Sequence, residues 1–510
     1  MDESNFSLYN RIGLFAGLAG FILVLVSPAP EGISPEGWRT AAVAVLMATW
    51  WITEAVPLAA TALLPIALFP LFGIMPAKAV TASYGDPNIY LFAGGFFIAM
   101  AMQKWGLHER IALNIVKRTG TNMNRLVLGF MISTAGISLW ISNTATALMM
   151  MPIAMAIVTV LEEQRGKEAT ANFSICLLLG IAYASSIGGM GTPIGTPPNI
   201  VFLSKYQAQY PEGPPIAFLQ WMMFGVPLVL VMLPLTWLIL TKILFRFDSV
   251  ESKAAADEID RRLAALGPIN RGEMVVLGVF VMSALGWIFR ADLEFDAFKI
   301  PGWSNLFPNP DAIRDDTVAI LAATVLFITP VDLRKGEFVL DWNWAKRIPW
   351  DILILFGGGL ALANGLETVK LVDWIGGKFA LLEGVSPFVI VLTICAGITL
   401  VGELASNVAM ITIMIPILVG AAPVLNIHPL LLMVPATLAA SCGFMLPVAT
   451  PPNAIVFGTG KIPIPRMVRA GIAIDILGIL LVTFLGYYVV TAVLGIDVGA
   501  FPAWAVKPAP

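Results

Sequence analysis

The chain has 510 residues, of which 58% are hydrophobic and 12% charged, with a formal net charge of −3. Soluble domains carry about a quarter charged residues, so this composition excludes a soluble globular protein and points to an all-α polytopic membrane protein set in a lipid bilayer. The acidic balance argues against nucleic acid, which needs a basic face, and Cys176, Cys395 and Cys442 lie scattered in apolar segments as buried thiols, without disulfide or metal spacing.

A helix crossing a bilayer needs about 20 apolar residues. The polar start, residues 1–10, has no basic region or small-residue cleavage site, so the first apolar run, Ile12–Val26, reads as a retained helix. Further runs cover 40–56, 89–102, 218–245, 274–289, 317–329, 352–363 and 472–493. Glu54, beside Pro57 at the end of the second run, reads as interfacial. Lys104, Arg110, Lys117, Arg118 and Arg125 follow the run that starts at Ile89 and place its end in the cytoplasm, where basic residues accumulate. Residues 107–117 read as an interfacial helix with His108 solvated. The basic linkers 246–273 and 331–350 face the cytoplasm too. Residues 248–266 read as a short amphipathic helix, with a disordered connector as the alternative. Residues 291–316, rich in Asp292, Glu294, Asp296, Asp311, Asp315 and Asp316, face outside, and Lys461, Arg466 and Arg469 put the start of the last span inside.

These sides alternate from a cytoplasmic N-terminus to an outside C-terminus only if 124–162 and 386–424 each enter and leave on one side. Both therefore read as re-entrant helical hairpins, the first dipping from the cytoplasm and the second from outside, beside about 11 transmembrane helices. Each hairpin carries a polar motif near its middle: Ser142-Asn143-Thr144 in one, Ser406-Asn407-Val408 in the other. Ser406 lies 264 positions after Ser142, as Pro416 does after Pro152 and Phe356 after Phe92. Beyond the hairpins, Thr196-Pro197-Pro198-Asn199 is matched 254 positions later by Thr450-Pro451-Pro452-Asn453. The first half thus holds ten extra residues, most simply in a charged linker around Glu162–Ala171. Paired units opening from opposite sides form an inverted repeat, the sequence mark of an alternating-access transporter whose substrate site lies near the midplane.

Two consecutive prolines in an apolar span break the helix, and unpaired backbone at membrane depth is tolerated only where it is buried or lines a cavity. Such a break frees carbonyls for a cation and helix N-termini for an anion. Segments 127–160, 173–204, 384–424 and 429–460 contain no Lys or Arg, and Glu403 is their only acid. An anion bound there is neutralised by amides, helix ends and carried cations, and neutral oxygen ligands suit sodium better than calcium. Glu403 reads as a brace for the second hairpin, with direct ion or proton binding as the alternative; the matched position is Leu139. No nucleotide-binding, zinc, haem or nucleophile-elbow pattern occurs, so the chain is not read as an enzyme and no organic cofactor is expected.

The Ser142-Asn143-Thr144 and Ser406-Asn407-Val408 tips, the segments Gly195–Asn199 and Ala449–Asn453, and Trp50-Trp51-Ile52-Thr53-Glu54-Ala55 resemble the divalent anion/sodium symporters, carriers of di- and tricarboxylates, over essentially the whole chain. The resemblance implies a homodimer in the inner (plasma) membrane working as an elevator. Scaffold parts would span 1–120 and 246–384, the latter with the cytoplasmic linker, and transport parts 121–245 and 385–510, with broken helices at 172–208 and 429–458. It implies one sodium at Ser138, Ser142, Asn143 and Gly195, and a second at Gly402, Ala405, Asn407 and Ala449. Substrate carboxylates would touch Ser142, Asn143, Thr144, Thr196, Ser406, Asn407, Val408, Thr450 and Pro451. Two positions depart from the family pattern: Val408 stands where a threonine is usual, and Gly402 where a hydroxyl residue is expected. Sodium-coupled symport of a C4-dicarboxylate such as succinate, malate or fumarate is the leading expectation. The alternatives are a sodium-independent exchanger and a carrier of citrate or another divalent anion; a channel is the reading from a different class.

Overall fold

The computed structural model describes residues 8–248, 250–295, 298–498 and 500–506; residues 1–7 of the polar start, Asp296 and the last four residues lie outside them. The fold is mostly helical, with two small antiparallel ribbons at 293–300 and 330–338. Among the described residues, eight helices are long and apolar enough to cross a membrane, or nine if the pair Leu371–Leu382 and Pro387–Gly402, bent by 118°, counts as one span. The expected number of spans also draws on Pro35–Thr53 and Pro87–Lys104, which carry polar ends, and on Asp315–Ile328, with only 14 residues.

Both hairpins form. The first pairs Met123–Ser138 with Asn143–Arg165, and the second pairs Pro387–Gly402 with Asn407–Val424. Ser142 caps the second arm of the first, its hydroxyl accepting from the Ala145 amide at 3.4 Å, which satisfies one of the four donors every helix start leaves open. The broken helices follow as Lys167–Gly189 with Pro197–Gln209, and Pro429–Ala440 with Pro451–Phe457. In both, proline opens the second half-helix at its first position, where its missing N–H costs nothing.

The ten extra residues of the first half are not in a linker. They lengthen helices at the turn: Asn143–Arg165 runs five residues past the match of Val424 and Lys167–Gly189 starts eight residues before the match of Pro429, while the turn between them shrinks from four residues to one. Only Gly166, at φ +86°, separates the first pair. Glu162, Arg165, Lys167 and Glu168 are good helix formers, so the charged stretch extends both helices up to the turn.

The linker settles as the helix Lys253–Ala265, packed on Leu107–Thr119 and on the first hairpin. His108 is half-buried, with Nδ1 3.1 Å from the Met102 carbonyl, a correction to the solvated reading. Burial holds its imidazole below the usual histidine range. Glu54 is exposed at the end of its helix, and the three cysteines are buried and free.

Candidate functional site

The helices cross over between the halves. Asn143–Arg165 of the first hairpin packs on Pro451–Phe457 of the second broken helix, and Asn407–Val424 packs on Pro197–Gln209 of the first. Each half-helix that follows a break therefore packs against the second arm of the opposite hairpin. Tyr183, on Lys167–Gly189, donates to the Phe444 carbonyl at 3.0 Å and sets its ring edge-on to Phe444 with centroids 5.0 Å apart.

The two breaks are built alike. Asn199 donates to the carbonyls of Gly189 at 3.1 Å and Thr192 at 2.8 Å, and Asn453 donates to those of Gly443 at 3.1 Å and Leu446 at 3.0 Å. Each asparagine replaces, from the second half-helix, the amides lost where the chain unwinds. A carboxamide does this without charge, so the break stays neutral at membrane depth.

In the first half the predicted sodium residues come together. Ser138 donates to Asn143 Oδ1 at 2.9 Å and lies 2.7 Å from the Ser185 carbonyl, and Asn143 Nδ2 reaches Thr196 Oγ1 at 3.4 Å. A Cβ on Gly195 would come within 2.5 Å of the Gly189 carbonyl and 2.9 Å of the Ser138 carbonyl. Only glycine allows this approach, which leaves Ser138, Gly189 and Asn143 oxygens crowded around the break, a neutral donor set suited to a hard monovalent cation. Ser142 and Thr144, at the tip, are half-buried.

The second half is looser. Ala405 and Ala449 are buried, and Ala449 and Thr450 both adjoin Gly443. Thr450 caps Pro451–Phe457, accepting from the Asn453 amide at 3.4 Å, while Pro451 is exposed. Asn407 Oδ1 is buried with no hydrogen-bond partner among the described residues. No hydrogen bond there joins Ser406, Asn407 or Val408 to Thr450, so the link that Asn143 makes to Thr196 has no counterpart. Ser406 makes no side-chain cap, and a Cβ on Gly402 would meet nothing within 4 Å.

Glu403 braces the break. Its carboxylate accepts from the amides of Phe444 at 2.7 Å, Met445 at 3.1 Å and Leu446 at 2.9 Å. All three donors belong to the unwound segment, whose N–H groups have lost their helical partners. Asp475, on the last helix Ile464–Leu494, shares the Phe444 amide at 3.1 Å and is buried. Asp475 lies outside the repeated motifs, although an aspartate inside an apolar span is itself a signal. Lys205 lies outside them as well. It is buried one residue beyond the uncharged segment, with Nζ 2.8 Å from the Gly359 carbonyl.

The chain has clear relatives among known proteins. A "sodium-dependent dicarboxylate transporter" of Staphylococcus saprophyticus is 42% identical over 98% of this chain and 94% of its own. One of the same name from Staphylococcus aureus is 40% identical over 97% and 94%. In three dimensions the chain is similar to the YdaH transporter of Alcanivorax borkumensis, with a TM-score of 0.57 at 12% identity, covering 95% of this chain and 97% of that one. Residues 9–494 match the sodium:sulfate symporter transmembrane region. The chain is therefore a multi-pass membrane transporter of the sodium:sulfate symporter family, the family of the divalent anion/sodium symporters.

Proposed function

We propose that the protein is a sodium-coupled symporter that imports C4-dicarboxylates through the plasma membrane by an elevator form of alternating access. The observation that carries this reading is the matched pair of neutral breaks, held by Asn199 and Asn453 and packed against the opposite hairpin. A site with oxygen donors but no Lys or Arg in its tips and breaks binds a dianion best when cations arrive with it, which favours symport over exchange. The staphylococcal relatives, named sodium-dependent dicarboxylate transporters, support the same cargo. The first sodium lies among Ser138, Ser142, Asn143 and Gly195, and the second among Gly402, Ala405, Asn407 and Ala449. Substrate carboxylates lie between the tips, on Ser142, Asn143, Thr144, Thr196, Ser406, Asn407, Val408, Thr450 and Pro451.

Sidedness has its own support. Lys104 pairs with Asp341, Arg110 with Glu273, Lys117 with Asp260, and Lys461 with Glu162 at 2.6 Å. Loops far apart in sequence thus share one basic face, which in this reading is cytoplasmic, with the N-terminus inside and the C-terminus outside. The scaffold comprises residues 1–120 and, with the cytoplasmic linker, 246–384, the moving domain comprises 121–245 and 385–510, and the protein works as a homodimer.

Proteoliposome uptake tests the reading. Succinate should enter under an inward sodium gradient with no dicarboxylate inside. Uptake seen only after dicarboxylate preloading would replace symport with exchange, and uptake that never exceeds equilibrium would indicate a channel.

A further inference from the structure

Matched positions of the two halves have opposite burial. Ile194 is 5% exposed and its counterpart Val448 75%; Thr412 is 1% exposed and its counterpart Leu148 55%. Ile200 is buried, whereas the matched Ala454 is exposed. In the conformation described, the half-helix Pro197–Gln209 and the hairpin arm Asn407–Val424 are more deeply buried than their counterparts Pro451–Phe457 and Asn143–Arg165.

Lys205 lies on the more deeply buried of the two half-helices. Pro197–Gln209 packs on Trp350–Thr368, and the Lys205 ammonium donates to the Gly359 carbonyl across that contact. No acidic side chain pairs with it among the described residues. A buried ammonium held by one carbonyl is costly unless that hydrogen bond is kept. The matched pair is Thr459 with Gly95, and it makes no such bond: Thr459, just past the end of Pro451–Phe457, donates to the Val456 carbonyl at 2.7 Å, and Gly95 faces Ile194. Threonine is also too short to replace the ammonium. If the halves exchange conformations during transport, the Lys205 bond exists in one end state and has no equivalent in the other.

We propose that Lys205 is a positioning residue that sets the balance between the two end states by holding the moving domain to Gly359 in one of them. The proposal rests on the alternating-access reading. Its effect is on population, since a contact present in only one state shifts the equilibrium by its own differential strength.

Single cysteines at Ala454 and Ile200 report the two states, because the three native cysteines are buried. In purified protein, Lys205→Met should slow maleimide labelling of A454C at least five-fold and speed that of I200C, while binding of sodium with succinate confirms the fold. Lys205→Arg, which keeps the donor, should label as the wild type does. Should Lys205→Met not fold, Lys205→Gln serves, with the same reciprocal change expected. Unchanged rates at both positions in a folded variant, or Lys205→Arg behaving as Lys205→Met, would overturn the proposal. An I200C that never labels in otherwise wild-type protein during turnover would overturn the alternating-access reading itself, a result distinct from failure of the latch alone.

Discussion

Gly402 leaves Asn407 without the hydroxyl that Ser138 gives to Asn143. In the first half Ser138 bonds Asn143 Oδ1 at 2.9 Å, and in the second the matched Asn407 oxygen is buried and unpartnered among the described residues. A side chain at Gly402 has room, because a Cβ there meets nothing within 4 Å. Gly402→Ser should therefore fold and offer Asn407 its missing partner. A net hydrogen bond is worth about 0.5–1.5 kcal/mol, so half-saturating sodium for succinate uptake should fall roughly three- to ten-fold. A sodium titration that does not move would place the second ion elsewhere.

Asn143→Ala and Asn407→Ala should each abolish transport while the protein keeps its elution profile. Asn122→Ala is the control: Asn122 caps Met123–Ser138 through the Asn124 amide at 3.1 Å, and losing such a cap costs about 1 kcal/mol, so uptake should persist. Normal kinetics in either tip variant would remove that tip from the site.

Val408 is the other departure between the tips. Its side chain is half-buried and its carbonyl accepts from Thr412 at 2.7 Å, a bond that a new side chain leaves intact. Val408→Thr exchanges a methyl for a hydroxyl and should change the ratio of succinate to citrate transport by several-fold, with little change in thermal stability. Competition assays with the two substrates read this directly; an unchanged ratio puts Val408 outside the substrate path.

The Glu403 brace predicts stability effects. Glu403→Ala strands the amides of Met445 and Leu446, while Phe444 keeps Asp475. Leaving a donor without its acceptor costs up to about 1–3 kcal/mol where water is excluded, and both residues are half-buried, so the melting temperature in detergent should drop. Glu403→Gln keeps an acceptor and should lose less, and Asp475→Asn less again. A fully stable Glu403→Ala that alters sodium dependence alone would make Glu403 an ion ligand and not a brace.

Much of this was legible in the sequence because membrane depth makes polar residues conspicuous. Ser142, Asn143, Thr196 and Asn199 stand out in apolar runs, their copies recur at fixed offsets, and double prolines mark breaks that only a buried or cavity-lining site tolerates. What stayed hidden depends on pairing across distant elements. Asp475 and Lys205 lie outside the repeated motifs, and their roles appear only once Phe444 and Gly359 are beside them. The ten extra residues misled because charged residues suit a helix end as readily as a loop. His108 misled because its polar neighbours hide the Met102 carbonyl it meets.

The most direct test of sodium-coupled dicarboxylate transport through the two tips is the steady-state accumulation ratio of labelled succinate in proteoliposomes, measured against imposed inward sodium gradients. The account predicts a ratio above one that rises with the gradient, collapses when sodium is equalised across the membrane, and is absent in Asn143→Ala and Asn407→Ala. Accumulation that ignores the sodium gradient, or that persists in both variants, would contradict it.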